Sequence, residues 1–269
     1  MKLGIAIAGD NALPSAFVIL RGLEKSIRQA AEYGYDGVEL ALKDPNEVDK
    51  AALRKLLNET GMEISAISTG QVFAERGLMF TEEDPAKRAE LEKIFKGFID
   101  LASEFSGLVN IGRVRGFIKG RDKAMCEDLF VEMARKLCDY AVPKGVKLIL
   151  EPVNRYEIDF INSVDEGMAL MKKVDRPNMA LQPDVFHMNI EDDNIGQSLI
   201  RNRDYVAYVH LADSNRHAPG DGHLDFDNVF ASLAKLKFDG WVTVECLPRP
   251  SDIEAATRAV KFIRKNYLD

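Results

Sequence analysis

The chain has 269 residues, 46% hydrophobic and 29% charged, which is the balance of a globular protein long enough to bury a large core without disulfide staples. A formal net charge of −7 and no dominant Lys/Arg cluster argue against a nucleic-acid partner. The three cysteines, Cys126, Cys138 and Cys246, form no CxxC pair, and that usage fits a reducing compartment.

The opening MKLGIAIAGDN holds an apolar run too short for a signal-peptide core or a membrane span. A cytoplasmic protein with no membrane partner is expected. The run itself, Leu3–Ala8, reads as a first strand. Gly37–Leu40, Glu63–Ile67, Leu108–Ile111, Val146–Leu150, Met179–Leu181, Val206–Val209 and Val242–Val244 repeat it, which makes eight. Short, near-continuous apolar runs of this kind suit parallel strands covered on both faces. Longer amphipathic stretches lie between them. Ser163-Val164-Asp165-Glu166 opens one with a capping-box pattern, and its stripe runs through Val164, Met168 and Met171. Ser251-Asp252-Ile253-Glu254 opens the last, with a stripe of Ile253, Ala256, Val260, Ile263 and Tyr267. Eight strand–helix units of about 34 residues predict an α/β fold, a (β/α)8 TIM barrel forming a single domain over residues 1–269. An open doubly wound sheet is the alternative. It usually carries a nucleotide fingerprint, and neither GxGxxG nor GxxxxGK[ST] is found.

In such a barrel, chemistry sits at the C-terminal ends of the strands. KLILEP ends at Glu151, MALQPD ends at Asp184, VAYVHLAD carries His210 and WVTVEC carries Glu245. These are consecutive strands, five to eight, spaced about one unit apart. Three carboxylates and one imidazole make a hard, oxygen-rich donor set, better suited to Mn²⁺, Co²⁺ or Mg²⁺ than to a structural zinc. Taken singly, a strand-end Glu is more often solvated, and a His in an apolar run is more often a core residue. Four such residues at consecutive strand ends are much harder to explain one by one, so a single metal site stands level with four unrelated strand-end residues. Glu157, His187 and Arg216 follow Glu151, Asp184 and His210 by six, three and six residues. Each falls in the loop after its strand, within reach of a ligand on the metal. Alone, Glu157 and Arg216 read as surface loop charges. His187 lies between Phe186 and Met188, so a buried structural role competes for it.

EPVNRYE, PDVFHMNIE, HLADSNRHAPGDGHLDF and VECLP, with GYDGVEL at the second strand, together resemble the ketose 3-epimerase family. That family includes the D-tagatose and D-psicose 3-epimerases and lies in the xylose-isomerase-like barrel superfamily. The resemblance runs the whole length of the chain. It implies that Glu151, Asp184, His210 and Glu245 hold one divalent metal ion, Mn²⁺ ahead of Co²⁺ or Mg²⁺. It implies that Glu151 and Glu245 double as acid/base groups on opposite faces of a sugar, and that Glu157, His187 and Arg216 contact the substrate's oxygens. It further implies a homo-oligomer, a dimer or a tetramer.

The chemistry is coherent on its own terms. A proton on the carbon next to a ketone is weakly acidic, and a cation on the carbonyl stabilises the enediolate left by its removal. Inversion needs two bases, because one cannot serve both faces of a held substrate. Arg113 and Arg115, in NIGRVRGFIKGR after the fourth strand, are expected near the mouth. Arginine binds carboxylate bidentately, so the substrate is expected to be either a neutral ketose or a keto-sugar acid such as a ketogluconate. Salt bridges or solvent are the plainer fate for both arginines.

Three rival readings stand beside the epimerase. A hydroxypyruvate-type aldose–ketose isomerase shares the enediolate, but such relatives tend to carry glutamine where this chain has His210. A non-catalytic sugar and metal sensor needs no base on each face. Asp221-Gly222-His223 resembles the Asp-x-His pair of apurinic endonucleases, whose three-metal site takes further histidines from early strands. This chain has no histidine before His187. His217 and His223 are expected to be structural or to back up the ligands.

Overall fold

The computed structural model describes residues 1–13 and 18–268. Eight parallel strands form the central sheet: β1 (Lys2–Ala8), β2 (Gly37–Ala41), β3 (Glu63–Ser68), β4 (Leu108–Ile111), β5 (Lys147–Leu150), β6 (Met179–Leu181), β7 (Tyr208–Leu211) and β8 (Trp241–Val244). A two-residue strand, Leu20–Arg21, pairs with the end of β1. Each strand pairs with its sequence neighbour, and β8 returns to β1. The ring closes between β6 and β7 through two isolated bridges, Leu181–Val206 and Asp184–His210. His210 N donates to Pro183 O at 2.8 Å across this seam. Closing the barrel therefore sets Asp184 and His210 side by side. This is the (β/α)8 barrel that the alternation of runs predicts. The one displaced strand is β7, which runs from Tyr208 to Leu211 because Val206 pairs only at the closing bridge.

The helices wrap the sheet and bury their stripes against it. At Ser163 the capping box is complete: Ser163 Oγ accepts the Glu166 N–H at 3.2 Å, and Glu166 Oε2 accepts the Ser163 N–H at 3.4 Å. Ser251 Oγ likewise accepts the Glu254 N–H at 3.2 Å. The stripe of that last helix differs from the expectation at both ends. Ile253, in the first turn, is 50% exposed, and Ala255, Ala256, Ala259, Val260 and Ile263 are the buried residues. Tyr267 leaves the stripe and stacks flat on Phe230, with ring centroids 4.2 Å apart. Among the described residues, no helix is long and apolar enough to cross a membrane.

The barrel interior is layered by the period-two alternation of the strands. Tyr208 fills the lower layer among Ala66, Ile149 and Ala180. Its hydroxyl lies 2.7 Å from Ser65 Oγ and accepts from Thr243 Oγ1 at 2.6 Å. Ser65 is the extra residue where the β2–β3 register shifts opposite Val38 and Glu39, a β-bulge. Two residues further along the same strands come Glu151, Gln182, His210 and Glu245, and two beyond Gln182 comes Asp184. The late strands thus climb from an apolar or hydroxyl floor to a carboxylate at the top of β5, β6 and β8 and to an imidazole in β7.

Candidate metal centre

Glu151 follows β5, Glu245 follows β8, and His210 lies within β7. Asp184 caps the short helix Val185–Glu191, where its Oδ1 accepts the Phe186 N–H at 2.9 Å. One ligand atom from each of the four lies within 4.8 Å of the others. His210 Nδ1 stands 3.2 Å from Glu151 Oε1 and 3.8 Å from Glu245 Oε2. Asp184 Oδ2 is buried and makes no hydrogen bond among the described residues. Its neighbour His187 Nε2 is 3.5 Å away, beyond the usual hydrogen-bond range. A buried carboxylate oxygen without a donor is costly unless a cation completes it. The donor set and this orphaned oxygen both fit a hard divalent ion.

Burial and neighbouring charge push the carboxyls apart. Burial raises Glu151, but its hydrogen bond to His210 and the His210 charge overcome that and hold it at about 2. Burial pushes Asp184 up to about 6. Burial, with the Glu151 charge adding to it, pushes Glu245 up to about 8. For His210, burial acts downward, but the charges of Glu39 and Glu245 and the bonds to Glu151 and Glu39 carry it well above the ordinary imidazole value. Carboxyls with divergent pKa values at one site are the arrangement of paired acid/base chemistry.

A cleft opens onto this cluster and is lined by Glu151, Glu245, Glu157, His187, Arg216 and Arg113 among others. Arg216 bridges two of these carboxylates. Its Nη1 donates to Glu157 Oε1 at 2.5 Å and its Nη2 to Glu245 Oε2 at 3.4 Å. Its guanidinium also lies over the Phe186 ring, 4.8 Å from the centroid. The Arg216 backbone is left-handed, with φ of 60°, a strained state for a bulky residue. The loop that imposes it is organised by Asp213, whose carboxylate accepts the N–H groups of Ser214 (2.7 Å), Gly220 (2.8 Å) and Leu224 (3.0 Å). Gly222 has no alternative here, since a Cβ would lie 2.2 Å from Asp213 Oδ1. His187 is buried, and Asn154 Nδ2 donates to its Nδ1 at 2.7 Å, leaving the ring N–H on Nε2. Burial lowers His187 well below the ordinary value and keeps it neutral.

The two arginines after β4 part company. Arg113 lines the cleft. Arg115 does not reach it, against expectation. It is fully buried, and its guanidinium donates to four carbonyl oxygens: Phe160 at 2.7 Å, Gly112 at 3.1 Å, Glu151 at 2.6 Å and Ile161 at 2.8 Å. It ties the loop carrying Glu157 to the turn after β4. His223 is exposed, with Nδ1 3.0 Å from Ser214 Oγ. His217 is half-buried and passes its backbone N–H to Asn215 Oδ1 at 2.9 Å. Asp221 is exposed, and neither it nor His223 joins the ligand cluster.

Several supporting residues escape a reading of strand ends. Glu39 Oε2 lies 2.8 Å from His210 Nε2. Asn110 Nδ2 donates to Gln182 Oε1 (3.0 Å) and Glu151 Oε2 (3.3 Å), and Gln182 Nε2 lies 3.1 Å from both nitrogens of the His210 ring. Parity gives them away, because Gln182 precedes Asp184 by two residues. Glu39 is betrayed by a lone carboxylate in the otherwise apolar GVEL.

Fold and site define a parallel α/β barrel with a carboxylate–histidine cluster at its C-terminal mouth. The chain belongs to the xylose isomerase-like TIM barrel family, whose profile matches residues 27–266. Among its relatives, an L-ribulose 3-epimerase from Methylomonas sp. is 35% identical, with 91% of this chain and 92% of that protein covered. A ketose 3-epimerase from Arthrobacter globiformis is 30% identical, covering 83% and 77%. The crystal structure of a D-allulose 3-epimerase from Methylomonas sp. in complex with D-allulose superposes with a TM-score of 0.84 at 27% identity, over 99% of this chain and 98% of that one. Further relatives are other keto-sugar epimerases and isomerases.

Proposed function

We propose that this isomerase, as one barrel domain over residues 1–269, is a ketose 3-epimerase that inverts the carbon next to a ketone in a small sugar or sugar acid. The observation that carries the reading is the pair Glu151 and Glu245. They enter one cleft from strands three apart around an eight-stranded ring, and so approach a held substrate from different sides.

Glu151, Asp184, His210 and Glu245 would hold one divalent cation, Mn²⁺ ahead of Co²⁺ or Mg²⁺. When bound, such an ion supplies Lewis acidity that spreads the negative charge of an enediolate. The proton itself is moved by the chain's own groups. One of the two carboxylates takes the proton from one face of the carbon, and the other carboxyl returns a proton to the opposite face. In the reverse reaction they exchange roles. Arg216 donates to the sugar oxygens while keeping Glu157 and Glu245 in place. His187, neutral and with its N–H on Nε2, donates to a further oxygen. Arg113, at the rim, offers a guanidinium to a carboxylate end, which extends the reading to keto-sugar acids. Arg115 has no part in substrate contact. A reducing cytoplasmic setting belongs to this reading and is supported by Cys126, Cys138 and Cys246, all buried free thiols. A dimer or tetramer is part of it by resemblance.

The test is reconstitution. Chelated protein is returned to Mn²⁺, Co²⁺ or Mg²⁺ singly and given a panel of neutral ketoses and keto-aldonates, with products separated by chromatography. Metal-dependent interconversion of C3 epimers is expected. One-to-one Mn²⁺ binding without turnover of any substrate would favour a sensor, and an aldose product would favour the isomerase reading.

A further inference from the structure

Glu39 sits in the middle of β2 and is fully buried inside the barrel. Burying a carboxylate costs several kcal/mol unless a partner compensates. Its Oε2 meets His210 Nε2 at 2.8 Å, while its Oε1 has no hydrogen bond among the described residues. The bulge at Ser65 lies directly opposite, where the β2–β3 register shifts between Val38 and Glu39. Bulges re-aim side chains beside active sites. The ring of His210 is therefore addressed from two sides. Nδ1 faces Glu151 Oε1 at 3.2 Å and Glu245 Oε2 at 3.8 Å, and Nε2 faces Glu39. Gln182 Nε2 is equidistant from both nitrogens at 3.1 Å, so it lies over the ring face and does not choose between them.

We infer that Glu39 is a positioning residue: its carboxylate accepts the Nε2–H of His210, fixes that tautomer, and so directs the Nδ1 lone pair at the Glu151, Asp184 and Glu245 oxygens where a divalent cation is held. The inference rests on the metal reading above. Carboxylate–histidine–metal relays of this kind typically change metal affinity about 10- to 100-fold when broken. Glu39→Gln keeps the shape of the side chain, removes its charge, and gives it an amide that can donate to Nε2 and invert the tautomer.

The experiment measures Mn²⁺ binding to the chelated full chain by calorimetry, alongside ¹⁵N-histidine NMR of the Mg²⁺-loaded protein, with the His210 signals assigned by comparison with His210→Gln. For E39Q the expected result is a Kd raised about 10- to 100-fold, melting of the metal-free protein unchanged or raised, and loss of the single Nε2–H pattern at His210. Glu39→Asp, which keeps the charge but withdraws it by one methylene, is expected to weaken binding less and to keep the tautomer. It serves as the comparison should E39Q not fold. An E39Q chain with wild-type Kd and an unchanged His210 pattern would overturn the inference while leaving the metal reading intact. In the Asp arm, a Kd weakened as much as in E39Q, or a lost tautomer, would equally count against it. A wild-type chain that takes up no Mn²⁺ overturns the metal reading, and the inference with it.

Discussion

The tops of β5 to β8 and the turn after β4 border the same cleft but are organised by different means. At the strand tops, parity and barrel closure decide. Asp184 and His210, far apart in sequence, are set side by side by one backbone bridge. In the turn after β4, local hydrogen bonds decide. Arg113 and Arg115 are two residues apart, yet one lines the cleft and the other is sealed beneath it by four carbonyls. The strand tops therefore carry the carboxylate–histidine cluster, and the turn carries one arginine that lines the cleft and one that braces the backbone beneath it. A charge on the rim cannot be assigned to either until the path of the loop is known.

Substitutions can break that contrast in order of size. At the strand tops, Glu151→Gln and Glu245→Gln should each lower kcat by about 10³-fold or more, the upper range for a lost proton-transfer group, with little change in urea midpoint. Steady-state kinetics on the best substrate checks this, and a loss confined to KM would contradict it. In the turn, Arg115→Ala should act on stability, lowering the unfolding free energy by about 3 kcal/mol, since buried acceptors lose a charged donor. Urea unfolding monitored by circular dichroism measures it. A pH series sharpens the strand-top account. Glu245, pushed up to about 8, and Asp184, pushed up to about 6, must both be ionised to ligate. His210, held well above the ordinary imidazole value, must lose its proton as well, so falling pH weakens Mn²⁺ binding by about tenfold per unit for each proton displaced, two below pH 8 and three below pH 6, with proton release on binding. Calorimetry in buffers of different ionisation enthalpy counts those protons. The smallest effect is expected at Arg113. Arg113→Ala should cost about tenfold in kcat/KM on a keto-sugar acid, leave a neutral ketose within about twofold, and change stability by under about 0.5 kcal/mol. Equal losses on both substrates would remove it from carboxylate recognition.

The legible part of the molecule is the part set by periodicity. Eight apolar runs gave the strands to within a residue or two, apart from β7, where Val206 belongs to the seam and not to the ladder. The ends of β5 to β8 gave the four clustered side chains, His210 within its strand, Glu151 and Glu245 one residue past theirs and Asp184 three past, because side chains of equal parity share the barrel interior. The same rule, carried two residues back, reaches Gln182 and Tyr208. Glu39 is visible as a lone carboxylate in an apolar strand, but its partner His210, 171 residues away, is encoded by no spacing. The Arg216 conformation was also out of reach. It depends on the three N–H groups gathered by Asp213, an arrangement that no spacing encodes. Arg115 was misplaced for the related reason that its acceptors are backbone carbonyls of two separate loops, and backbone acceptors have no sequence signature.

The central claim is that Glu151 and Glu245 work on opposite faces of one carbon. Turnover in D₂O with Mg²⁺, followed by NMR, tests it most directly. The account predicts that product formed early carries one deuterium at the inverted carbon, while unreacted substrate stays protiated, because the group that returns the proton has exchanged with solvent and is not the one that removed it. Product that retains its original hydrogen at that carbon, or carries deuterium only at the neighbouring one, would contradict it.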